Sequence, residues 1–372
     1  MNENWEYVPF ESLFNWGEKS LLTSGEGKST GKYKMFICSD SEIKHYDEFL
    51  LNTEALVFGT GGKASCHYVN EPFAYSTDCA VALPKSSEYS CKFYYYLLRQ
   101  NRLQKLQSTF SGSGLQHTSK KKIEKILLPI LAKEEQERIV AKIEELFSQL
   151  DSGVQALEKL KKQLTMYRRT ILSNGFSGCT EHKKIEQVCK CVTDGDHMPP
   201  PKEPQGVPFI MISNIKNHKI NWENTNYVGE EYFNRIGEKR TPAQGDVLYT
   251  VTGSYGIPVL VDFERKFCFQ RHIALLRPNE KILQKYLYYV LQSPMVYRQA
   301  TDMATGTAQK TVALSVIRKI IIPYCDLAQQ EKIVSRLEAE LSECSNIQQS
   351  VVTALRQTEA MRQSILKNAF EE

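Results

Sequence analysis

Residues 128–176 read LPILAKEEQERIVAKIEELFSQLDSGVQALEKLKKQLTMYRRTILSNGF. Their apolar residues recur at alternating steps of four and three: Ile139, Ile143, Leu146, Leu150, Leu157, Leu160, Leu164, Tyr167 and Ile171. Only Gly153 interrupts the register, and Val154 stands beside the gap as a substitute contact. Steps of four and three average about 3.5 residues, so one narrow stripe faces a partner helix while Glu, Lys, Gln and Arg fill the remaining surface. The stretch predicts a coiled-coil seam. About 40 helical residues would span roughly 60 Å, more than a small domain needs for its own core, so the helix reads as a spacer.

The same stretch occurs twice. QERIV at Gln136 is answered by QEKIV at Gln330, 194 residues further on, and at that spacing Arg168, Ile171, Leu172, Asn174 and Phe176 are answered by Arg362, Ile365, Leu366, Asn368 and Phe370. The second seam runs through Ile333, Leu337, Val351 and Ile365. It is less regular, because Glu340 and Thr358 fall on the strict register and Leu341 and Leu355 broaden the stripe beside them. Two self-similar helices of this kind predict that each is the partner of the other.

A chain of 372 residues exceeds what one core usually fills, and two globular units plus two long helices account for it. Apolar content of 41% and charged content of 24% are those of a soluble globular protein. MNENWEYVPF is no leader sequence, and no apolar run approaches the roughly 18 residues of a membrane span, so a cytoplasmic protein without membrane contact is expected. The ten cysteines then read as reduced thiols. The closest pair in sequence, Cys189 and Cys191, lacks the further ligands of a zinc site. A net charge of +4 permits nucleic-acid binding without indicating it.

The globular units carry short apolar runs bounded by turns. YKMFI at Tyr33, ALVF at Ala55 and CAVAL at Cys79 are strand candidates in the first, and FIMI, VLYTV, IPVLV and IALL in the second. Cys91 to Gln107 has helical spacing. At the 194-residue spacing Gly59 and Gly62 match Gly253 and Gly256, Pro84 matches Pro278, Tyr94, Tyr95 and Leu97 match Tyr288, Tyr289 and Leu291, and Gly112 matches Gly306. The two units therefore read as one fold with diverged loops, the second carrying extra residues ahead of Gly253.

This order of unit, helix, unit, helix resembles the specificity subunits of type I restriction-modification systems. The most specific marks are the block from the glycine loop through Leu-Pro or Ile-Pro to EEQERIV or AQQEKIV, present in both halves, and the loop VTDGDHMPP starting at Val192. The first unit departs from the pattern in lacking a GDH-type loop. The resemblance implies an α+β chain: target recognition domains at 1–127 and 179–321, and conserved long helices at 128–178 and 322–372 that pair as an antiparallel coiled coil. It further implies a chain without catalytic groups or cofactor of its own, which reads a bipartite asymmetric site on double-stranded DNA. Its partners would be two modification subunits, which bind AdoMet and methylate adenine, and restriction subunits, which cut DNA using ATP and Mg²⁺.

Enzyme-like patterns are sparse. TSGEGKST near Thr23 ends like a phosphate-binding loop, but Leu22 stands where the first glycine is required. Asp246 with Glu264 and Lys266 echoes the acidic pair and lysine of Mg²⁺-dependent nucleases, so a self-contained endonuclease is the competing reading. The tyrosines at 94 to 96 and at 286, 288 and 289 have helical spacing beside leucines and read as core rather than as base-stacking platforms. Candidates for DNA contact are Lys28 and Lys32 for phosphates; Thr60 and Lys63 of GTGGK; Ser254 and Tyr255 of TGSYG; and Gln116, His117, His197, Arg271, His272, Gln309 and Lys310 as donors and acceptors. Amides and arginine can each form paired bonds to a base edge, whereas lysine most often meets phosphate.

Overall fold

The computed structural model describes residues 5–197 and 200–371. The chain divides into two compact units, one of Met1–Glu158 with Val352–Glu372 and one of Lys159–Val351. The long helices run from Lys133 to Asn174 and from Leu327 to Glu371. Both start later than the sequence suggests, because Leu127–Ile130 and Ile321–Tyr324 are strands, paired antiparallel with Glu6–Pro9 and Glu181–Lys184 respectively. Each unit therefore holds one globular domain, the beginning of the helix that follows it, and the end of the other long helix.

Both domains are built on the same sheets. In the first unit Phe14–Trp16, Cys79–Pro84, Ala55–Gly59 and Ser65–Val69 form a four-stranded sheet in that spatial order, beside a three-stranded sheet in which Tyr33–Phe36 runs parallel to Phe73–Tyr75. In the second unit Cys189–Asp194, Ile273–Pro278, Val247–Thr250 and Pro258–Leu260 repeat the first sheet, and Val207–Ile210 runs parallel to Cys268–Phe269 in the second. The extra residues of the second domain fall between Ile210 and Val247, where they form a short hairpin, Ile215–Lys216 with Lys219–Ile220, and the helix Glu230–Arg235.

The register of the sheets corrects the sequence matches. Leu56 pairs with Ala82 and Val247 with Leu276, so Cys79–Pro84 and Ile273–Pro278 keep the 194-residue spacing while Ala55–Gly59 answers Val247–Thr250 at 191. Gly62 is thus the equivalent of Gly253, and Gly59 of Thr250. The helix Cys91–Arg99 buries Phe93, Tyr94, Leu97 and Leu98, and Gln284–Leu291 buries Tyr286, Leu287, Val290 and Leu291, which aligns Tyr95 with Tyr288 and Tyr96 with Tyr289. Pro84 with Pro278 and Gly112 with Gly306 stand as matched. The first of these helices ends at Arg99 instead of continuing to Gln107, since Asn101, Arg102 and Leu103 all take left-handed backbone. Gln100 and the Arg102 amide instead bond to Leu366 and Gln363 of the second long helix.

The first core joins Phe10, Phe58, Phe93 and Tyr94 to Ile139, Val140 and Ile143 of one long helix and to Leu366, Ala369 and Phe370 of the other. The second joins Tyr249, Tyr286 and Leu287 to Ile171, Leu172 and Phe176 and to Ile333, Val334, Leu337 and Leu341. Within each unit the start of one long helix runs beside the end of the other, so the pairing is antiparallel. The seam is less uniform than its spacing predicts. Ile139, Ile143, Leu164, Ile171, Ile333, Leu337 and Val351 are buried, Leu146, Leu150, Leu157 and Ile365 are half-buried, and Leu160 and Tyr167 remain 37% and 56% exposed. Ile139, Ile143, Ile171, Ile333 and Leu337 are buried within a domain's core, whereas Leu164 is buried with its carbonyl 3.7 Å from Cys344 Sγ of the other long helix. Gly153 does not break the helix.

The recurrent glutamine of QERIV and QEKIV has a structural role. The fully buried Gln136 accepts from Ser90 N (3.0 Å) and donates to the carbonyls of Glu88 and Leu131 (both 2.9 Å). Gln330 accepts from Leu283 N (2.9 Å) and donates to Lys281 and Cys325 (3.1 and 2.8 Å). No helix among the described residues is long and apolar enough to cross a membrane.

Candidate nucleic-acid interface

A hairpin with a glycine at its turn is clamped to the end of a central strand in each domain. In the first, Ser111 and His117 exchange backbone bonds (2.9 and 3.0 Å), Gly62 N donates to Gln116 O (2.8 Å) and Thr118 N to Thr60 O (2.9 Å). In the second, Thr305 and Thr311 exchange theirs (2.9 and 2.7 Å), Gly253 N donates to Lys310 O (2.9 Å) and Val312 N to Val251 O (2.8 Å). The turns demand glycine: Gly112 and Gly306 have φ of 141° and 102°, Gly62 and Gly253 of 76° and 65°, a region that other residues enter at a cost. Sequence GTGGK and TGSYG are therefore platforms on which the hairpin tips stand out from the sheet.

This geometry puts Leu115 in the place of Gln309, Gln116 in that of Lys310 and His117 in that of Thr311. All six are exposed except Thr311, which is half-buried. Leu115, 70% exposed at the tip, was not legible as a candidate because an isolated leucine carries no polar signal; the hairpin register reveals it. Lys63 is exposed, and Lys122 donates to Ser111 Oγ (2.5 Å).

The GDH loop of the second domain lies next to this platform, through a bond from Val251 N to His272 O (3.0 Å). Gly195 is required by close approach, since a Cβ there would stand 2.0 Å from Phe269 O. Asp196 N donates to Phe269 O (3.0 Å) and Arg271 N to Asp196 O (2.9 Å), while the Asp196 carboxylate accepts from Tyr232 Oη. Asp194 bonds His197 Nε2 (2.8 Å) and stands 3.5 Å from Arg240. His197, Arg271 and His272 thereby converge, with Asn226 and Gln270, around a cavity of about 210 Å³. Burial and the neighbouring Arg271 cation push the His272 pKa down, so the ring is neutral at pH 7 and offers one donor and one acceptor. Met198 and Pro199 of the loop lie outside the described residues.

In the first domain Thr60 N and its hydroxyl both donate to Asp78 O (2.9 and 2.8 Å), which makes the exposed Asp78 the equivalent of His272. Its 194-residue spacing from His272 was the signal available in the sequence. Residues 18–22 follow Phe14–Trp16 where the GDH loop follows Cys189–Asp194.

Other candidates are engaged elsewhere. Lys28 pairs with Asp47 (2.6 Å), and Lys32 lies over the Tyr33 ring (5.0 Å). Tyr255 stacks on Tyr297 (5.6 Å between centroids) and donates to Thr301 Oγ1 (3.1 Å), so it is packed within the domain; Ser254 is exposed, and its carbonyl accepts from Thr250 Oγ1 (2.8 Å). Tyr94 and Tyr286 are core, donating to Pro129 O and Pro323 O (3.0 Å each), whereas Tyr95, Tyr96, Tyr288 and Tyr289 are half-buried.

The nuclease constellation does not assemble. Asp246 is 2% exposed, and its two carboxylate oxygens accept from Arg277 Nε and Nη2 (2.9 and 2.8 Å), one of them also from Ala243 N (2.8 Å). The ion pair consumes the oxygens a metal would need. Glu264 is exposed, and Lys266 stands 4.0 Å from Glu230. The GKS loop closes on itself at the surface: Glu26 accepts from Thr23 N (2.5 Å) and Thr23 Oγ1 (2.8 Å), a capping box around one short turn rather than a phosphate cradle.

A groove lies against the equivalent tyrosine pair in each unit. The first, about 840 Å³, is lined by Tyr95, Tyr96, Glu144 and Arg362; the second, about 490 Å³, by Tyr288, Tyr289, Lys285 and Glu338. Lys92 pairs with Glu144 (2.6 Å) and Lys285 with Glu338 (2.7 Å) at their edges.

A family model described as type I restriction modification DNA specificity domain matches residues 2–165 and 180–352. The EcoBI specificity subunit of Escherichia coli is 22% identical over 85% of this chain and 73% of its own length. The MjaVIII specificity subunit of Methanocaldococcus jannaschii is 26% identical over 66% of this chain and 62% of its own. Among solved structures, a chain from a study of complex assembly and conformational transition of the type I R-M system has a TM-score of 0.74 at 17% identity, covering 100% of this chain and 98% of that one. The HsdS subunit from Thermoanaerobacter tengcongensis has a TM-score of 0.62 at 17% identity, with 100% and 97% covered.

Proposed function

The chain belongs to the type I restriction modification DNA specificity domain family, and from that premise we propose that it reads a bipartite, asymmetric target on double-stranded DNA. Each domain reads one half. The observation that carries this reading is one hairpin platform built twice with different chemistry at equivalent places: Leu115 against Gln309, Gln116 against Lys310, Asp78 against His272. Equal frames with unequal tips suit half-sites of unequal sequence. An amide can bond an adenine edge in two places, an aliphatic tip suits the thymine methyl, and an aspartate accepts from cytosine N4.

The chain itself acts as a non-catalytic adaptor in the cytoplasm. Two modification subunits, carrying AdoMet, would methylate adenine within the target, and restriction subunits would cut DNA using ATP and Mg²⁺. Support for two copies of the modification partner comes from the equivalent grooves beside Tyr95 and Tyr96 and beside Tyr288 and Tyr289. The test is to map methylated bases in DNA treated with the full chain, its modification partner and AdoMet. A single interrupted motif with unlike halves is expected, with no methylation or cleavage by the chain alone. Methyl transfer by the isolated chain, or methylation without sequence preference, would overturn the reading.

A further inference from the structure

The sequence places Cys189 and Cys191 closest, but the fold brings a different pair together. Cys179 follows the end of the first long helix and Cys325 precedes the start of the second, 146 residues apart, and their sulfurs stand 3.2 Å from one another. No other two of the ten free cysteines are in sulfur-to-sulfur contact among the described residues. The pair lies just beyond the end of the antiparallel ladder whose last rung is Glu181 facing Tyr324. Tyr286, whose hydroxyl donates to Pro323 O (3.0 Å), presents its oxygen to Cys179 at 3.2 Å and to Cys325 at 3.9 Å. Cys179 is buried, whereas Cys325 is half-buried and open to a small reagent.

We propose that Cys179 and Cys325 are a redox-modifiable dithiol, which a hydroperoxide converts to a disulfide that closes the second recognition domain into a covalent ring. The Cys325 thiol gives its proton to solvent, its thiolate attacks one peroxide oxygen and the O–O bond breaks, giving a sulfenic acid, and the leaving hydroxide or alkoxide takes a proton back from solvent as water or an alcohol. Cys179 then attacks the Cys325 sulfur. The S–S bond forms, the S–O bond breaks, and the hydroxyl leaves with the Cys179 proton as water. The two sulfurs lose two electrons and the peroxide gains them.

The ring encloses every strand from Glu181–Lys184 to Ile321–Tyr324, and with them His197, Arg271, His272, Gln309 and Lys310. Joining chain positions so far apart removes freedom from the unfolded state, so the closed form resists unfolding of this domain. Burial, and the hydrogen bond with Cys179, push the Cys325 thiol up to about 12, so closure is slow at neutral pH and a reducing compartment keeps the pair open. Leu131 holds the place of Cys325 in the first unit, which therefore has no such clasp.

The test is peptide mapping of the full chain without reductant after prolonged exposure to hydrogen peroxide. Expected is a cross-linked peptide joining Cys179 to Cys325, absent from C325S and retained in C189S, with slower hydrogen exchange across 180–324 in the oxidised wild type. In C179A the sulfenic acid should persist at Cys325 and be trapped by dimedone. Recovery of both cysteines as separate thiols or sulfonates in the wild type, while the rest of the chain exchanges as the untreated protein does, would overturn the proposal. So would their appearance only in bonds to other cysteines.

Discussion

Replacing Gln136 by Leu tests whether the recurrent QERIV glutamine holds its domain to the long helix. The side chain is fully buried and makes three bonds, one accepted from Ser90 N and two donated to the carbonyls of Glu88 and Leu131. Each bond contributes about 1 kcal/mol net, and a buried polar group left without a partner costs about 1–3 kcal/mol. Leucine fills the volume but satisfies none of the three, giving a loss of about 3–5 kcal/mol. For a unit of this size that lowers the melting temperature by on the order of 10 °C. Gln136→Glu should be no milder, because a carboxylate keeps the acceptor but faces two carbonyls with no proton to donate. Hydrogen exchange read by mass spectrometry should show faster exchange in peptides of residues 5–158 and none of that change in 180–325. Gln330→Leu should reverse the pattern, and the two losses should add. A melting shift under about 2 °C, or equal loosening of both units by either variant, would refute the clamp.

Gly153→Ala should stabilise the chain by about 0.5–1 kcal/mol in denaturant unfolding, since the helix runs through it and an added Cβ meets nothing within 4 Å. Burial pushes the pKa of His67 and His218 down, so the unfolded chain takes up protons first. Their stability contribution is present above about pH 6.5 and is lost as pH falls toward the folded values, a decline that His67→Gln with His218→Gln should make shallower in unfolding measured from pH 7 to 5. Arg271→Ala and Gln309→Ala should each relax one half of the methylated motif by roughly 10-fold to 100-fold and leave the other half fixed, whereas a uniform loss would assign the residue to a phosphate. A fragment of residues 1–178 carries Phe176, the equivalent of the Phe370 that packs on Phe93, so it should sediment as a dimer and, with the modification partner, methylate an interrupted palindrome.

The long helices were legible because their repeat is unbroken at 194 residues and helical spacing survives substitution. Inside the domains the same spacing misassigned Gly59, Gly62 and Tyr94 through Leu97, because loops of unequal length shift Ala55–Gly59 by three residues and Cys91–Arg99 by one. The strands with continuous apolar runs were readable. Phe14–Trp16, Ser65–Val69 and Cys189–Asp194 were not, since their sequences mix polar and apolar residues without clear alternation. The seam stripe was correct in position, but its spacing carries no record of which stretch a recognition domain also covers. Nor does the spacing separate Leu160, 37% exposed, from Leu164, 7% exposed and beside Cys344 of the other long helix. For the candidate interface, glycines and polar residues pointed to loops that the fold clamps to the end of a central strand. Only the clamp of each hairpin onto its strand could equate Leu115 with Gln309 or bring Asn226 and Gln270 beside His197, and only packing could assign Asp246 to Arg277.

The composition of the first unit sets an order of events during synthesis. Its core lacks Leu366, Ala369 and Phe370 until the far end of the second long helix is made, although Phe93, Ile139 and Ile143 have long since left the ribosome. At about 5–20 residues per second that apolar face waits on the order of ten seconds or more. Throughout the interval the nearest segment of matching shape is Leu172 to Phe176, whether of the same nascent chain or of a sibling on the same message. Translation speed through the second half therefore governs how often chains pair wrongly, and a pause placed after residue 178 should raise the yield of misassembled dimers without changing a single amino acid.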